Sequence, residues 1–166
     1  MSEHAFPSVE ELIERAHLNA VRKGFWESGN VGEHFALIAT EVAEFEDAFD
    51  TGPSDPLEEL ADVVIRVFDL CGYLSLSLPS DILSYHEKGA SLLSFEFELR
   101  VYRCIARATQ SHRKRDLGRT QDLLVDAVFW CSTLAVQFAG AGELEQAILK
   151  KMEKNEKREY KHGCAY

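Results

Sequence analysis

The stretch LEELADVVIRVFDL, residues 57–70, decides the fold. Wound on a helix at about 100° per residue, Glu58, Glu59, Asp62, Arg66 and Asp69, with Tyr73 beyond, form one polar stripe about 100° wide. Leu60, Val63, Val64, Ile65, Val67, Phe68 and Leu70 cover most of the remaining surface. A helix so nearly apolar belongs at the centre of a bundle, and its stripe must face something specific. The preceding acidic stretch, TEVAEFEDAF at 40–49, behaves alike. On its helix Glu41 falls among Leu37, Ile38, Phe45 and Ala48, inside an arc completed by Phe35, Val42 and Phe49, so Glu41 is expected to face inward.

Working outward, Ser8 and Glu11 make a capping box that opens a helix running to about Lys23, with Gly24 after it. Phe25 to Gly32 reads as a loop with two aromatic residues. A second helix is predicted from about Val31 to Phe49, ended by Thr51-Gly52-Pro53, and a third from the Asp55-Pro56-Glu58 start signal to about Leu76. Ser80 to Lys88 reads as a short helical piece interrupted by Gly89. A longer helix is predicted from about Ser91 to His112, and SHRKRDLGR (111–119) as a basic connector. Two more helices fit Thr120 to Ala139 and Glu143 to about Lys161, separated by Gly140-Ala141-Gly142. No stretch alternates apolar and polar residues long enough for a sheet. The chain therefore reads as all-α, a compact bundle of about five to six helices in one domain over residues 1–166. LEELADVVIRVFDL also has a faint echo in QDLLVDAVFWCSTL (121–134), with Asp126 matching Asp62 and Leu123 standing where Glu59 does. This pattern fits either a degenerate internal duplication or chance likeness between amphipathic helices.

Composition excludes some function classes. A net charge of −10 over 166 residues argues against a nucleic-acid polymer or a membrane surface as partner, since both require a basic face. A small phosphorylated ligand stays compatible if cations accompany it. The acidic opening MSEHAFPSVEELIERA has no apolar h-region and no apolar run is long enough to span a bilayer, so a cytoplasmic protein is expected. Cysteines 71, 104, 131 and 164 have no metal-ligand spacing and read as reduced core thiols.

Acids written into apolar faces need partners, because burying an ionised carboxylate costs several kcal/mol unless it is paired or coordinates a cation. Glu41 with Glu44, and Glu59 with Asp62, are each three residues apart on one helix face, so each pair can grip one ion or bridge two. Oxygen-only ligands favour magnesium, or manganese in its place, over zinc. A di-iron site of the ferritin type needs two ExxH motifs, and only Glu14 to His17 has that form.

These residues resemble the all-α nucleoside triphosphate pyrophosphatases called MazG-like. The likeness rests on TEVAEFEDAF (40–49), EELADVVIRVFDL (58–70) and KMEKNEKREYKHG (151–163), which cover about a quarter of the chain. The resemblance implies that Glu41, Glu44, Glu59 and Asp62 hold magnesium and that Lys151, Asn155 and Arg158 bind phosphate oxygens. It implies hydrolysis between the α and β phosphates of a nucleoside triphosphate, giving a monophosphate and pyrophosphate in nucleotide-pool housekeeping. Glu41 or Glu44 would take the proton from the attacking water, and the residues do not decide between them. Trp26, and less so Phe25, is a candidate for stacking on the base. Arg66 and Asp69 are expected to pair and orient Asp62, while His34 and His162 are candidates for phosphate contact or for structural roles. Family members are usually homo-oligomers, and a homodimer is the preferred assembly. The alternative is a non-catalytic bundle that binds metal and nucleotide, or a protein partner.

Overall fold

The computed structural model describes residues 6–27, 29–52, 54–85 and 94–158. Among these, six helices follow one another and no strand occurs: α1 (Val9–Arg22), α2 (Val31–Thr51), α3 (Pro56–Leu74), α4 (Ser94–Arg113), α5 (Leu117–Phe138) and α6 (Glu143–Glu156). The all-α expectation holds. Its physical basis is the pattern of caps and apolar faces. Ser8 and Glu11 form the reciprocal capping box of α1, and Asn30 and Asp55 accept from the backbone N–H of Gly32 and Leu57 to start α2 and α3. Gly52 ends α2 in the left-handed region at φ 68°, which a residue without a Cβ adopts freely.

α3 is the central helix, packed on α1, α2, α5 and α6, while α4 closes the far side against α2 and α5. One continuous apolar core runs through all six helices, with Phe45, Leu60, Phe68, Phe97, Leu124 and Ile148 fully buried in it. α1 packs tightly on α3 at Gly72, where a Cβ would lie 2.5 Å from the Cβ of His17. Only glycine fits between these two helices at that point.

Four boundaries differ from the sequence expectation. α5 begins at Leu117 rather than Thr120, because Asp116 caps it by accepting from Arg119 N–H, and this outweighs the poor helix propensity of Gly118. The basic stretch 111–119 is therefore mostly helical. Residues 80–84 are not a helix. They form hydrogen-bonded turns held by buried Leu78, Ile82 and Leu83, and the Ile82 carbonyl accepts from the Ser132 hydroxyl of α5 at 3.2 Å. α3 stops at Leu74, where Ser75 turns left-handed at φ 55°. α6 stops at Glu156 rather than at about Lys161, with Lys157 as its C-cap. The proposed end at Lys88, like His162 and Cys164, lies outside the described residues. Cys71, Cys104 and Cys131 are free and buried, and burial pushes their thiols up, to about 12 and about 11 for the first two. No single helix among the described residues is long and apolar enough to cross a membrane.

Between α2 and α4, buried Glu98 shares a hydrogen bond with Glu46, with Asp50 close by. Burial first, and the neighbouring acids second, raise Glu98 to about 7 from the ordinary 4.5. An acid whose pKa is raised by folding stabilises the fold below its unfolded value and loses that contribution as pH rises through the folded value. Stability is therefore expected to fall between about pH 5 and pH 8, by about 1–3 kcal/mol. Urea unfolding across that range would register the slope in the wild-type chain and its flattening in Glu98→Gln. A variant that kept the full slope would assign it elsewhere.

Candidate functional site

A cleft of about 310 Å³ opens where α1, α2, α3 and the end of α6 meet, and Glu41, Glu44, Glu59, Asp62, Lys151, Asn155 and Arg158 all line it. Each position follows from its helix. Glu41 is 7% exposed because Ile38, Val42 and Phe45 carry the same face of α2 into the core, whereas Glu44 is exposed. Glu59 and Asp62 lie on the polar stripe of α3, partly buried. α6 packs on α3 and brings in Lys151 and Asn155, 4% and 8% exposed. Lys23, the C-cap of α1, donates to the carbonyls of Glu156 and Arg158, and Arg15 pairs with Glu156, which fixes the end of α6 at the rim.

One oxygen each from Glu41, Glu44 and Glu59 lies within 4.8 Å of the others. Opposite oxygens on a magnesium ion are about 4.2 Å apart, twice the usual bond of about 2.1 Å, so a small side-chain adjustment closes the set. Asp62 stands outside this trio. Its Oδ2 is 2.7 Å from Lys151 Nζ, and its Oδ1 accepts from Asn155 Nδ2 at 3.5 Å. The sequence expectation put Lys151 and Asn155 on phosphate, whereas here both hold Asp62. The Lys151 ammonium also lies 3.0 Å from Glu58 and 4.0 Å from Glu59, the neutralisation a buried cation requires. Arg158 differs, in that its guanidinium makes no ion pair among the described residues.

Arg66 does not pair with Asp69 as expected. Its Nε donates to Glu41 Oε1 at 2.9 Å, and its guanidinium lies 4.8 Å from the Phe25 ring centroid. Asp69, 2% exposed, is approached instead by side chains from α1, α2 and the loop between them, with its hydrogen bonds all on one oxygen. His17 Nδ1 lies 2.9 Å away, Trp26 Nε1 donates at 2.7 Å, and His34 Nδ1 is 3.3 Å from the second oxygen. This network captures Trp26. Its ring is stacked between His34 at 3.3 Å and Tyr73 at 3.8 Å, so both faces are covered and the stacking expected with a base is made with protein side chains. His34, buried and bonded to the Phe25 carbonyl, is structural. Phe25 is the aromatic residue left lining the cleft. Sequence reading missed the histidine shell, although an aspartate in so apolar a helix signals that donors must come from elsewhere. Asp126, the counterpart of Asp62 in the echo, lines a different groove with Tyr85 and Phe129.

The electrostatics reflect crowding of acids. Burial raises Glu41 above the usual carboxylate range, and Arg66 opposes it. Burial and then the Glu41 charge raise Asp62, against the pull of Lys151. Glu58, hydrogen-bonded by Lys154 and Lys151, falls to about 2. Burial works against the charge of Lys151, but its bonds to Asp62 and Glu58 carry it above the ordinary lysine value. Five carboxylates and three cationic side chains line the cleft, so an anion enters only with cations. Asn155 Oδ1 is buried and has no hydrogen-bond partner among the described residues. An orphaned acceptor beside clustered carboxylates fits a hydrated hard cation, whose water would donate to it. Comparison of the chain with family models, with curated proteins and with solved structures returned no match.

Proposed function

We propose that the protein is a cytoplasmic, metal-dependent nucleoside triphosphate pyrophosphohydrolase, cleaving between the α and β phosphates to release a monophosphate and pyrophosphate. The observation that carries this is the convergence of Glu41, Glu44 and Glu59 in a cleft that also holds Arg158, Arg66 and Phe25. Magnesium or manganese, which these three carboxylates would hold, would supply a bound water of lowered pKa and offset charge on the triphosphate. Glu44 is the better placed proton acceptor, being exposed and held by no hydrogen bond among the described residues, while Glu41 is engaged by Arg66. Arg158, without an ion pair of its own, suits the phosphate chain. Lys151 and Asn155 act one step back, orienting Asp62 beside Glu59.

One observation favours a second reading, a folded scaffold or binding module without turnover: Lys151 and Arg66 already pair with Asp62 and Glu41. A panel of canonical and modified ribo- and deoxyribonucleoside triphosphates separates the two, assayed with magnesium, with manganese and with EDTA. Turnover of at least one member to monophosphate and pyrophosphate, abolished by EDTA, is the expected result. Silence across the panel from folded protein would leave the binding module.

A further inference from the structure

We infer that Arg66 is an exchangeable counter-ion: it holds Glu41 in the metal-free protein, is displaced when a divalent cation enters the Glu41, Glu44 and Glu59 cluster, and then takes a phosphate oxygen of the substrate. The inference rests on the proposed function and deepens it by assigning a residue that couples metal entry to substrate binding.

Three features point to exchange rather than to a fixed structural pair. Arg66 grips Glu41 through Nε alone, and its two terminal nitrogens make no hydrogen bond among the described residues. A structural arginine–carboxylate pair is commonly bidentate, with two parallel bonds. The guanidinium also rests over the Phe25 ring, a cation–π contact that does not depend on Glu41 and keeps the group at the cleft once the carboxylate is taken. Finally, Glu41 is the one carboxylate that belongs both to the trio able to hold a cation and to an ion pair with arginine. A divalent ion at the trio and a guanidinium on Glu41 repel each other at close range, so metal and Arg66 compete for the Glu41 carboxylate. Lys151 is not equivalent, because its nearest partners are Asp62 and Glu58, outside the trio, and it meets Glu59 only at 4.0 Å.

The competition makes an unusual prediction, since removing a residue from a binding cleft should strengthen one ligand and weaken the other. Manganese binding without nucleotide, followed by the paramagnetic resonance signal of the free ion, is to be compared among wild type, Arg66→Met, Arg66→Gln and Arg66→Lys. Loss of the positive charge in the Met and Gln variants is expected to tighten manganese binding by roughly tenfold, and Lys to leave it near wild type. The same two variants are expected to raise KM for the nucleotide by roughly tenfold. Should the Met variant fail to fold, the Gln variant carries the test. Unchanged or weaker manganese binding in the neutral variants, or an unchanged KM, would overturn the exchange while leaving the proposed function standing. A wild-type protein that binds no manganese at millimolar concentration would remove the proposed function itself, and the exchange with it.

Discussion

Glu41→Gln is expected to lower kcat/KM for pyrophosphate release by roughly 10³-fold or more, with helical content and unfolding midpoint close to wild type. Losing a group that merely orients a metal ligand lowers affinity or activity by about 10–100-fold, and losing a direct ligand goes further. Stability is spared for reasons visible at the site. Glutamine keeps the volume of the side chain and an oxygen that can accept from Arg66 Nε, now 2.9 Å from Glu41. It also removes a carboxylate whose burial works against its own ionisation. If Glu41 served only to pair with Arg66, the opposite pattern would appear, with thermal stability falling and no metal-dependent step to lose. Steady-state kinetics of the best substrate in the panel, read beside a thermal melt, separates the cases. An active Glu41→Gln enzyme would show that the trio of carboxylates is not the metal site.

Much of the fold was legible because helix periodicity and capping are local. The narrow polar stripe from Glu58 to Tyr73 on an otherwise apolar helix marks α3 as central, and Ser8, Asp55 and Gly52 punctuate the chain by short-range hydrogen bonds and φ preference. The turns at 80–84 were not legible, since what holds them is distant: burial of Ile82 and Leu83 and a bond to Ser132, fifty residues away. The early start of α5 was legible in principle. Asp116 is a cap signal, and Gly118 obscured it.

The site divides in the same way. That Glu41, Glu44, Glu59 and Asp62 share faces is fixed by their spacing, and burial of Glu41 follows from its apolar neighbours. Which cation meets which carboxylate is tertiary. Arg66 and Asp69 are three apart on one helix, a favourable pair on an isolated helix worth only about 0.2–0.5 kcal/mol. In the folded protein, α1 and the following loop bring His17 and Trp26 to Asp69, while α2 presents Glu41 to Arg66. Buried partners in a low-dielectric setting outweigh the local pair. Capture of Trp26 by the same network could not be read from its position in a loop, and it leaves Phe25 as the aromatic side of the cleft.

Lys151→Met is expected to destabilise the metal-free protein by about 3–5 kcal/mol at neutral pH, because removing one partner leaves a buried charge uncompensated. For a chain of this size that is a fall in Tm of roughly 6–20 °C. Methionine preserves the length and the apolar stem of the side chain, so packing beneath it changes little. The loss is electrostatic and centred on Asp62, whose carboxylate is 2.7 Å from the ammonium and which is already strained toward its neutral form by burial and by Glu41. Glu58 is less affected, since Lys154 remains beside it. Magnesium is expected to raise the midpoint of Lys151→Met by more than that of wild type, because a cation at the neighbouring Glu41, Glu44 and Glu59 offsets the charge left on Asp62 and its binding is linked to folding. Differential scanning calorimetry with and without magnesium gives both quantities. A loss under 1 kcal/mol would mean that Asp62 is solvated well enough to need no partner. An equal magnesium shift in both proteins would place the ion too far from Asp62 to offset its charge, whereas a larger shift in the variant puts the ion at the neighbouring trio, close enough to stand in for the lost ammonium.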